Sequence, residues 1–274
     1  MNSPAKIKTI GLVCKPRNSK TWSEAKKLNA YFLSHGIQTY ILGSFKDRDA
    51  LVSCNEKTMG QHCDLIVSLG GDGTLLFVAR EFSEFAVPIV GINYGLIGHL
   101  NQIQPKNKIT ALDKVLAGNF TISEHPLIKH NIKPALGARV GKVAVNDIVI
   151  RGARGISMIE VQVSVAEQTF NYRADGLIVS TPIGSTSYSQ SAGGPILQTS
   201  LNSILITPIC AHIKRIPSYV CDDNQKIKIE INSTKSRSSQ IYCDGQFSVQ
   251  MKNPITVEVK KTKKNLKLVR LNPS

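Results

Sequence analysis

The feature that most constrains this chain is an apolar run, Asp64 to Leu69, that stops on Gly70-Gly71-Asp72-Gly73-Thr74 and leads straight into Leu75-Leu76-Phe77-Val78-Ala79. A buried strand, a glycine turn and a helix in direct succession are the geometry of a phosphate site. Glycine lets the backbone approach an anion closely, and the helix that follows presents unpaired N–H groups and partial positive charge. An aspartate is odd there if the turn only binds phosphate, because its charge opposes the ligand's. Three roles stay open for Asp72. It could accept a proton from, or orient, an attacking hydroxyl; it could help hold the Mg²⁺ that accompanies ATP; or it could cap the helix and shape the turn.

The flanking sequence extends this unit. Lys6 to Lys15 is strand-like, and Thr21-Trp22-Ser23-Glu24 has the spacing of a capping box, which predicts a helix start there. Ala25, Leu28 and Phe32 mark its inward face, and Gly36 is placed to end it in a left-handed conformation. Ile37 to Leu42 and Pro88 to Asn93 read as strands, with helices over 74–85 and 110–117. The alternation predicts a parallel, Rossmann-like α/β domain over residues 1–122.

Beyond residue 122 the pattern becomes β-rich. Val140 to Arg151, Ser157 to Ala166, Gly176 to Thr181, Ser203 to Pro208, Lys226 to Asn232, Gln240 to Cys243 and Ile255 to Lys260 are strand-like, and Ile227-Lys228-Ile229-Glu230-Ile231 alternates as a half-exposed strand should. These segments predict a predominantly β domain over 123–261, in the manner of a sandwich. Leu266 to Leu271 is a further strand that could belong to either domain, so residues 262–274 are candidates to return to the first.

Composition excludes several classes. The apolar stretch at the start is too short for a signal peptide, and no apolar run nears the roughly 20 residues needed to cross a bilayer, so a cytoplasmic protein is expected. Six cysteines are scattered without a CxxC pair, which argues against a disulfide or zinc framework. Cys14, Cys210 and Cys243 sit in apolar settings and are expected to be small buried hydrophobes. A formal net charge of +15 attracts polyanions. The chain has no RNP pattern, zinc finger or recognizable helix-turn-helix signature, and its densest basic run, Lys260-Lys261-Thr262-Lys263-Lys264, sits between strand-like stretches and lacks an amphipathic helix. Nucleotides are therefore expected as partners, rather than nucleic acid or a membrane.

A second motif is longer. In Asp175-Gly176-Leu177-Ile178-Val179-Ser180-Thr181-Pro182-Ile183-Gly184-Ser185-Thr186-Ser187-Tyr188-Ser189-Gln190-Ser191-Ala192-Gly193-Gly194-Pro195, an apolar strand ends in hydroxyls, small residues and one tyrosine. Hydroxyls suit ribose and amide groups, and the Tyr188 ring offers a flat face to a base. In Val143-Ala144-Val145-Asn146-Asp147-Ile148-Val149-Ile150, Asn146 and Asp147 would point to opposite faces of a regular strand. Both can serve one ligand only if the strand bulges or ends there. A carboxylate beside an amide suits a ribose.

Gly-Gly-Asp-Gly-Thr resembles the signature of a kinase superfamily containing NAD kinases, diacylglycerol-type lipid kinases and phosphofructokinases, and the Asp175–Pro195 run resembles the long motif of NAD kinases specifically. Asn146-Asp147 resembles that family's Asn-Glu or Asn-Asp pair. Asp244-Gly245-Gln246 resembles a further family position, which implies that Gln246 would be a nucleotide contact. Asn93-Tyr94-Gly95-Leu96-Ile97-Gly98-His99-Leu100 is similar to the family's Asn-x-Gly-x-Leu-Gly-Phe-Leu, with His99 in place of phenylalanine. The resemblance implies transfer of the γ-phosphoryl group of ATP to the 2′-hydroxyl of NAD's adenosine ribose, with Mg²⁺ or another divalent cation arriving with ATP. Asp72 would be catalytic. Gly71, Gly73, Asn146, Asp147, Ser157, Arg173, Asp175, Thr186, Ser187, Tyr188, Ser189, Gln190, Ser191 and Gln246 would bind nucleotide.

Ser157 stands where many relatives carry a larger basic or imidazole side chain, and Arg173 matches relatives that prefer NAD to NADH. The resemblance also implies an active site between domains and a homo-oligomer, usually a tetramer, in which Asp175 could serve a neighbour. The competing readings are a lipid kinase, which leaves the Asp175–Pro195 run without a reason, and a non-catalytic nucleotide-binding module, against which the intact Asp72 speaks.

Overall fold

The computed structural model describes residues 7–14, 19–43, 52–96, 98, 100–134, 141–153, 158–212, 217–232 and 238–271. The chain begins with β1 (Thr9–Cys14), α1 (Ser19–Ser34), β2 (Gln38–Leu42), β3 (Val52–Cys54), α2 (Glu56–His62), β4 (Leu65–Gly70), α3 (Asp72–Glu81), β5 (Ile89–Asn93), α4 (Lys108–Leu116) and β6 (Phe120–His125). There follow β7 (Ile128–Pro134), β8 (Gly141–Ala144), β9 (Asp147–Gly152), β10 (Ile159–Val165), β11 (Gln168–Ala174), β12 (Gly176–Ser180) and α5 (Tyr188–Ser191). The last elements are β13 (Ser203–Ile209), β14 (Tyr219–Asp222), β15 (Ile227–Ile231), β16 (Ser238–Cys243), β17 (Phe247–Lys252), β18 (Ile255–Lys261) and β19 (Leu266–Leu271). Two compact units result. One runs to Glu124 and takes in the stretch from Leu266; the other is His125–Asn265.

The first unit is a seven-stranded sheet in the order β3-β2-β1-β4-β5-β19-β6, parallel from β3 through β19. Alternation in β1 shows how both faces are covered. Ile10 and Leu12 pack in one cluster with Ala25, Leu28 and Phe32 of α1 and Ala111, Leu112 and Val115 of α4. Gly11, pointing the other way, lies under α2, where a Cβ would come within 2.7 Å of the Met59 sulfur. β4 and β5, covered on both faces, are buried along their whole length, which is why they read as unbroken apolar runs.

Helix boundaries show where local signals prevail and where they do not. α1 ends as its spacing predicts. Gly36 has φ 71°, its N–H donates to Leu33 O, and the Ile37 N–H donates to Phe32 O, both at 3.0 Å. Its start differs from expectation, because the helix is already formed at Ser19 and Thr21 is buried in the first turn. Glu24 is engaged within and beyond its helix: it accepts from Tyr94 Oη at 3.0 Å and pairs with Lys27, one turn on in α1, and with Lys108 of α4, at 2.8 and 3.1 Å. α3 stops at Glu81 rather than near 85, and Ala86 takes φ 56° in the turn that follows.

The second unit packs two six-stranded antiparallel sheets, β11-β10-β15-β18-β7-β8 and β14-β13-β12-β9-β16-β17. Their inner faces share one core. Val161 and Val163 of β10 and Ile227, Ile229 and Ile231 of β15 come from the first sheet, and Ile148, Ile150, Leu177, Val179, Ile204 and Ile241 from the second. The stretch expected as one strand, Val140 to Arg151, is broken. β8 belongs to the first sheet and β9 to the second, so the chain changes sheets at Val145-Asn146. Cys14 is half-buried and Cys243 buried, but Cys210 is exposed, contrary to expectation, because β13 ends before it and it turns the chain with φ 47°.

Candidate functional site

In the first unit, β4 delivers the chain to Gly70 and α3 starts two residues later. Gly71 is the extended residue before the helix, and its carbonyl accepts from Thr74 N at 2.9 Å. Glycine is required by crowding. A Cβ on Gly70 would lie 2.2 Å from Thr74 Oγ1, and a Cβ on Gly95 would lie 2.9 Å from Gly71 Cα, so the turns after β4 and β5 touch backbone to backbone. Asn93 Oδ1 holds the second turn by accepting from Gly95 N at 2.9 Å.

Asp72 is the first residue of α3 and is half-buried. Its Oδ1 accepts from Leu100 N at 3.2 Å, Asn101 N at 3.3 Å and Asn101 Nδ2 at 2.9 Å. A loop past β5 thus fixes the carboxylate, and Gly73 beside it is exposed. The sequence reading did not single out Asn101, a buried polar residue; a buried amide requires a partner, but nothing local indicates which. His99 lies outside the described residues.

In the second unit, Asn146 and Asp147 stand at the corner where the chain changes sheets. The Asp244 carboxylate fastens this corner by accepting from Val145 N at 3.0 Å, Asn146 N at 2.7 Å and Asp147 N at 3.3 Å. Asp244 takes φ 50° in the turn between β16 and β17, and its own N–H donates to Asp147 O at 3.0 Å. Asp147 is buried, and that burial, with the Asp244 charge beside it, pushes its pKa up to about 7.

The Asp175–Pro195 run closes over the same corner. Thr181 Oγ1 donates to Val145 O at 2.6 Å, Thr181 N donates to Asn146 O at 2.9 Å, and Gly184 N donates to Thr181 Oγ1 at 3.1 Å. Gly184 presses so closely that a Cβ there would sit 2.0 Å from Asn146 O. A cavity of 460 Å³ opens at this point, lined by Asn146, Asp147, Val149, Arg151, Ser187, Tyr188, Tyr242, Asp244 and Gly245. That size suits a small organic ligand.

The structure therefore brings together Asn146, Asp147, Ser187 and Tyr188. Gln246 is exposed in the turn next to Gly245, and Thr186, Gln190 and Ser191 are exposed on the run. Ser189 points inward, buried, with its hydroxyl 2.8 Å from Thr207 Oγ1. Arg173 lies on β11 in the other sheet, 3.4 Å from Glu160, and Asp175 N donates to Ile209 O at 2.9 Å; neither lines the cavity. Ser157 lies outside the described residues. The lining residues not foreseen, Val149, Arg151 and Tyr242, had a signal in strand parity. Asp147, Val149 and Arg151 share one face of β9 while Ile148 and Ile150 enter the core, and Tyr242 pairs with Val149 across β16.

Comparison with known proteins covers both units. Residues 10–120 match the family model described as the ATP-NAD kinase N-terminal domain, and residues 145–271 match the ATP-NAD kinase C-terminal domain. The chain is 33% identical over 270 residues to the NAD kinase of Mannheimia succiniciproducens, covering 97% of this chain and 90% of that protein. It is 36% identical over 285 residues to the NAD kinase of Neisseria meningitidis serogroup B, covering 98% and 93%. In fold it is similar to yeast NADH kinase complexed with NADH, with a TM-score of 0.87, 21% identity and coverage of 97% of this chain and 84% of that one. It is also similar to an NAD kinase from Archaeoglobus fulgidus in complex with ATP, with a TM-score of 0.77, 24% identity and coverage of 96% and 94%.

Proposed function

The chain belongs to the NAD kinase family and moves the γ-phosphoryl group of ATP to the 2′-hydroxyl of NAD's adenosine ribose, and from that premise we propose how its residues divide the work. The Gly71-Asp72-Gly73 turn receives the ATP phosphates on backbone N–H groups at the start of α3, where the helix end favours negative charge. NAD is held in the second unit's cavity. Asn146 and Asp147 take a ribose, and Tyr188 offers its ring to a base. Asp72 orients the 2′-hydroxyl and accepts its proton as the oxygen attacks the γ-phosphorus. Phosphoryl transfer is usually loose, so positioning and charge neutralisation supply most of the rate.

A divalent cation such as Mg²⁺ belongs to this reading. Asp72 gives a hard oxygen donor in the turn, while no group of three or more His, Cys, Asp or Glu side chains among the described residues could hold a metal ion by itself. That donor set fits a cation that takes most of its ligands from phosphate and water. When bound, the ion neutralises charge on the transferring group. The family's cytoplasmic setting and its assembly as a homo-oligomer, usually a tetramer, carry over as part of the same proposal.

The observation that supports the role of Asp72 is its carboxylate fixed by three N–H donors at the first residue of a helix behind a glycine turn. Asp72→Asn retains an oxygen for those donors and loses the proton acceptor. We expect kcat to fall about 10²-fold or more, with KM for both substrates changed little. Steady-state assay of NADP formation decides it, and near-normal kcat in the variant would show the role to be misassigned.

A further inference from the structure

We propose that Arg151 binds a phosphate of the dinucleotide, making it a further substrate-binding residue of this reaction. The inference rests on the reading of the second unit's cavity as the NAD site. Three observations carry it. First, Arg151 lies two strand repeats beyond Asp147 on the same face of β9, and both line the cavity. Their Cα atoms are therefore about 13 Å apart, so the lining along β9 extends well past the Asn146-Asp147 corner. Second, the lining has a marked chemical imbalance. Among the described residues it contains two carboxylates, Asp147 and Asp244, two tyrosines, and Arg151 as the one cation. An uncharged nucleoside needs no cation, whereas a dinucleotide brings phosphates into a cavity that otherwise repels them.

Third, the neighbouring strand makes room for this side chain. Gly176 stands opposite Arg151 in the β9–β12 register, and a Cβ there would lie 2.9 Å from Arg151 Cγ and 2.7 Å from Ile150 O. The glycine after Asp175 thus lets the arginine stem lie across β12. A planar guanidinium fork matches two phosphate oxygens, which a lysine ammonium cannot do.

The test is equilibrium binding of NAD, NADP and adenosine to wild type, Arg151→Ala and Arg151→Lys without ATP, paired with steady-state kinetics. Arg151→Ala should weaken NAD about 10-fold or more while shifting adenosine less than about twofold, the loss expected for a charge-assisted contact. Arg151→Lys should fall between. KM for NAD should rise with kcat at saturating NAD within about threefold, because the contact serves binding rather than transfer.

Equal weakening of NAD and NADP identifies the pyrophosphate as the bound group. Weakening of NADP alone would put only the product's 2′-phosphate on Arg151 and overturns its role in substrate binding. Parallel loss of adenosine affinity means the residue only shapes the cavity and overturns the proposal, as does unchanged binding of NAD and NADP. If NAD binds wild type without competing with adenosine, the reading of the cavity fails together with this inference. Competition in wild type beside a silent Arg151→Ala removes Arg151 alone.

Discussion

Asp147 is a carboxylate in surroundings that oppose its charge. It is 5% exposed, Asp244 lies close by, and its pKa is pushed up to about 7. The unfolded chain would release the same proton near pH 4. Between those values the folded state holds a proton that the unfolded state does not, so this group's contribution to stability falls as pH rises from about 4 to 7 and is lost above that. Asp147→Asn keeps the shape without the charge. It should raise Tm at pH 8 by several degrees and leave Tm at pH 4 nearly unchanged, which thermal unfolding across pH measures directly. Because ribose hydroxyls prefer a charged acceptor, wild-type affinity for NAD should increase between pH 6 and 8, while the variant's should stay flat. An unaltered pH profile in the variant would place the titrating group elsewhere.

The element that shapes the cavity is the helical turn at Ile183–Thr186 with α5 behind it. A serine-rich sequence there looks like a row of ligand groups, yet several of its hydroxyls hold the element together. Ser185 Oγ donates to Pro182 O at 2.7 Å, and Ser189 is 2.8 Å from Thr207 Oγ1. The tightest point is Gly184 against the Asn146 carbonyl, whose oxygen would lie 2.0 Å from a Cβ at that position. Gly184→Ala must displace the backbone that presents Asn146 and Asp147. It should destabilise the protein by about 1–3 kcal/mol, the usual range for overpacking, and raise KM for NAD about 10-fold or more. Urea unfolding and steady-state kinetics check the two parts, and a variant with unchanged KM would show that this corner does not hold substrate.

For the whole molecule, the last strand of the chain completes the first sheet. β19 stands between β5 and β6, with Leu266, Leu268 and Val269 buried. The sheet that carries Asp72 is therefore finished only by residues that follow the entire second unit. Ending the chain at Asn265 would open two strand edges and uncover apolar surface. The shortened protein should lose NADP formation and the cooperative unfolding of its first unit, and it should aggregate. Soluble, active protein ending at Asn265 would contradict this account.

Short-range patterns carried much of this protein in its sequence. The glycine turn between β4 and α3, the end of α1 at Gly36 and the alternation in β15 depend on residues within about one turn or one strand of each other, and the two motifs that mark the family are each contiguous in the chain. Three-dimensional packing alone decided the rest. The donors on Asp72 come from residues 28 and 29 positions away, and those on Asp244 come from residues 97 to 99 positions away. The change of sheets at Val145-Asn146 and the cavity lining of Arg151 and Tyr242 depend on which strands pair across the sandwich. Periodicity and turn chemistry act through neighbouring backbone and can be read along the chain. Partners for buried polar groups are chosen by packing among segments far apart in sequence, and no local pattern encodes that choice.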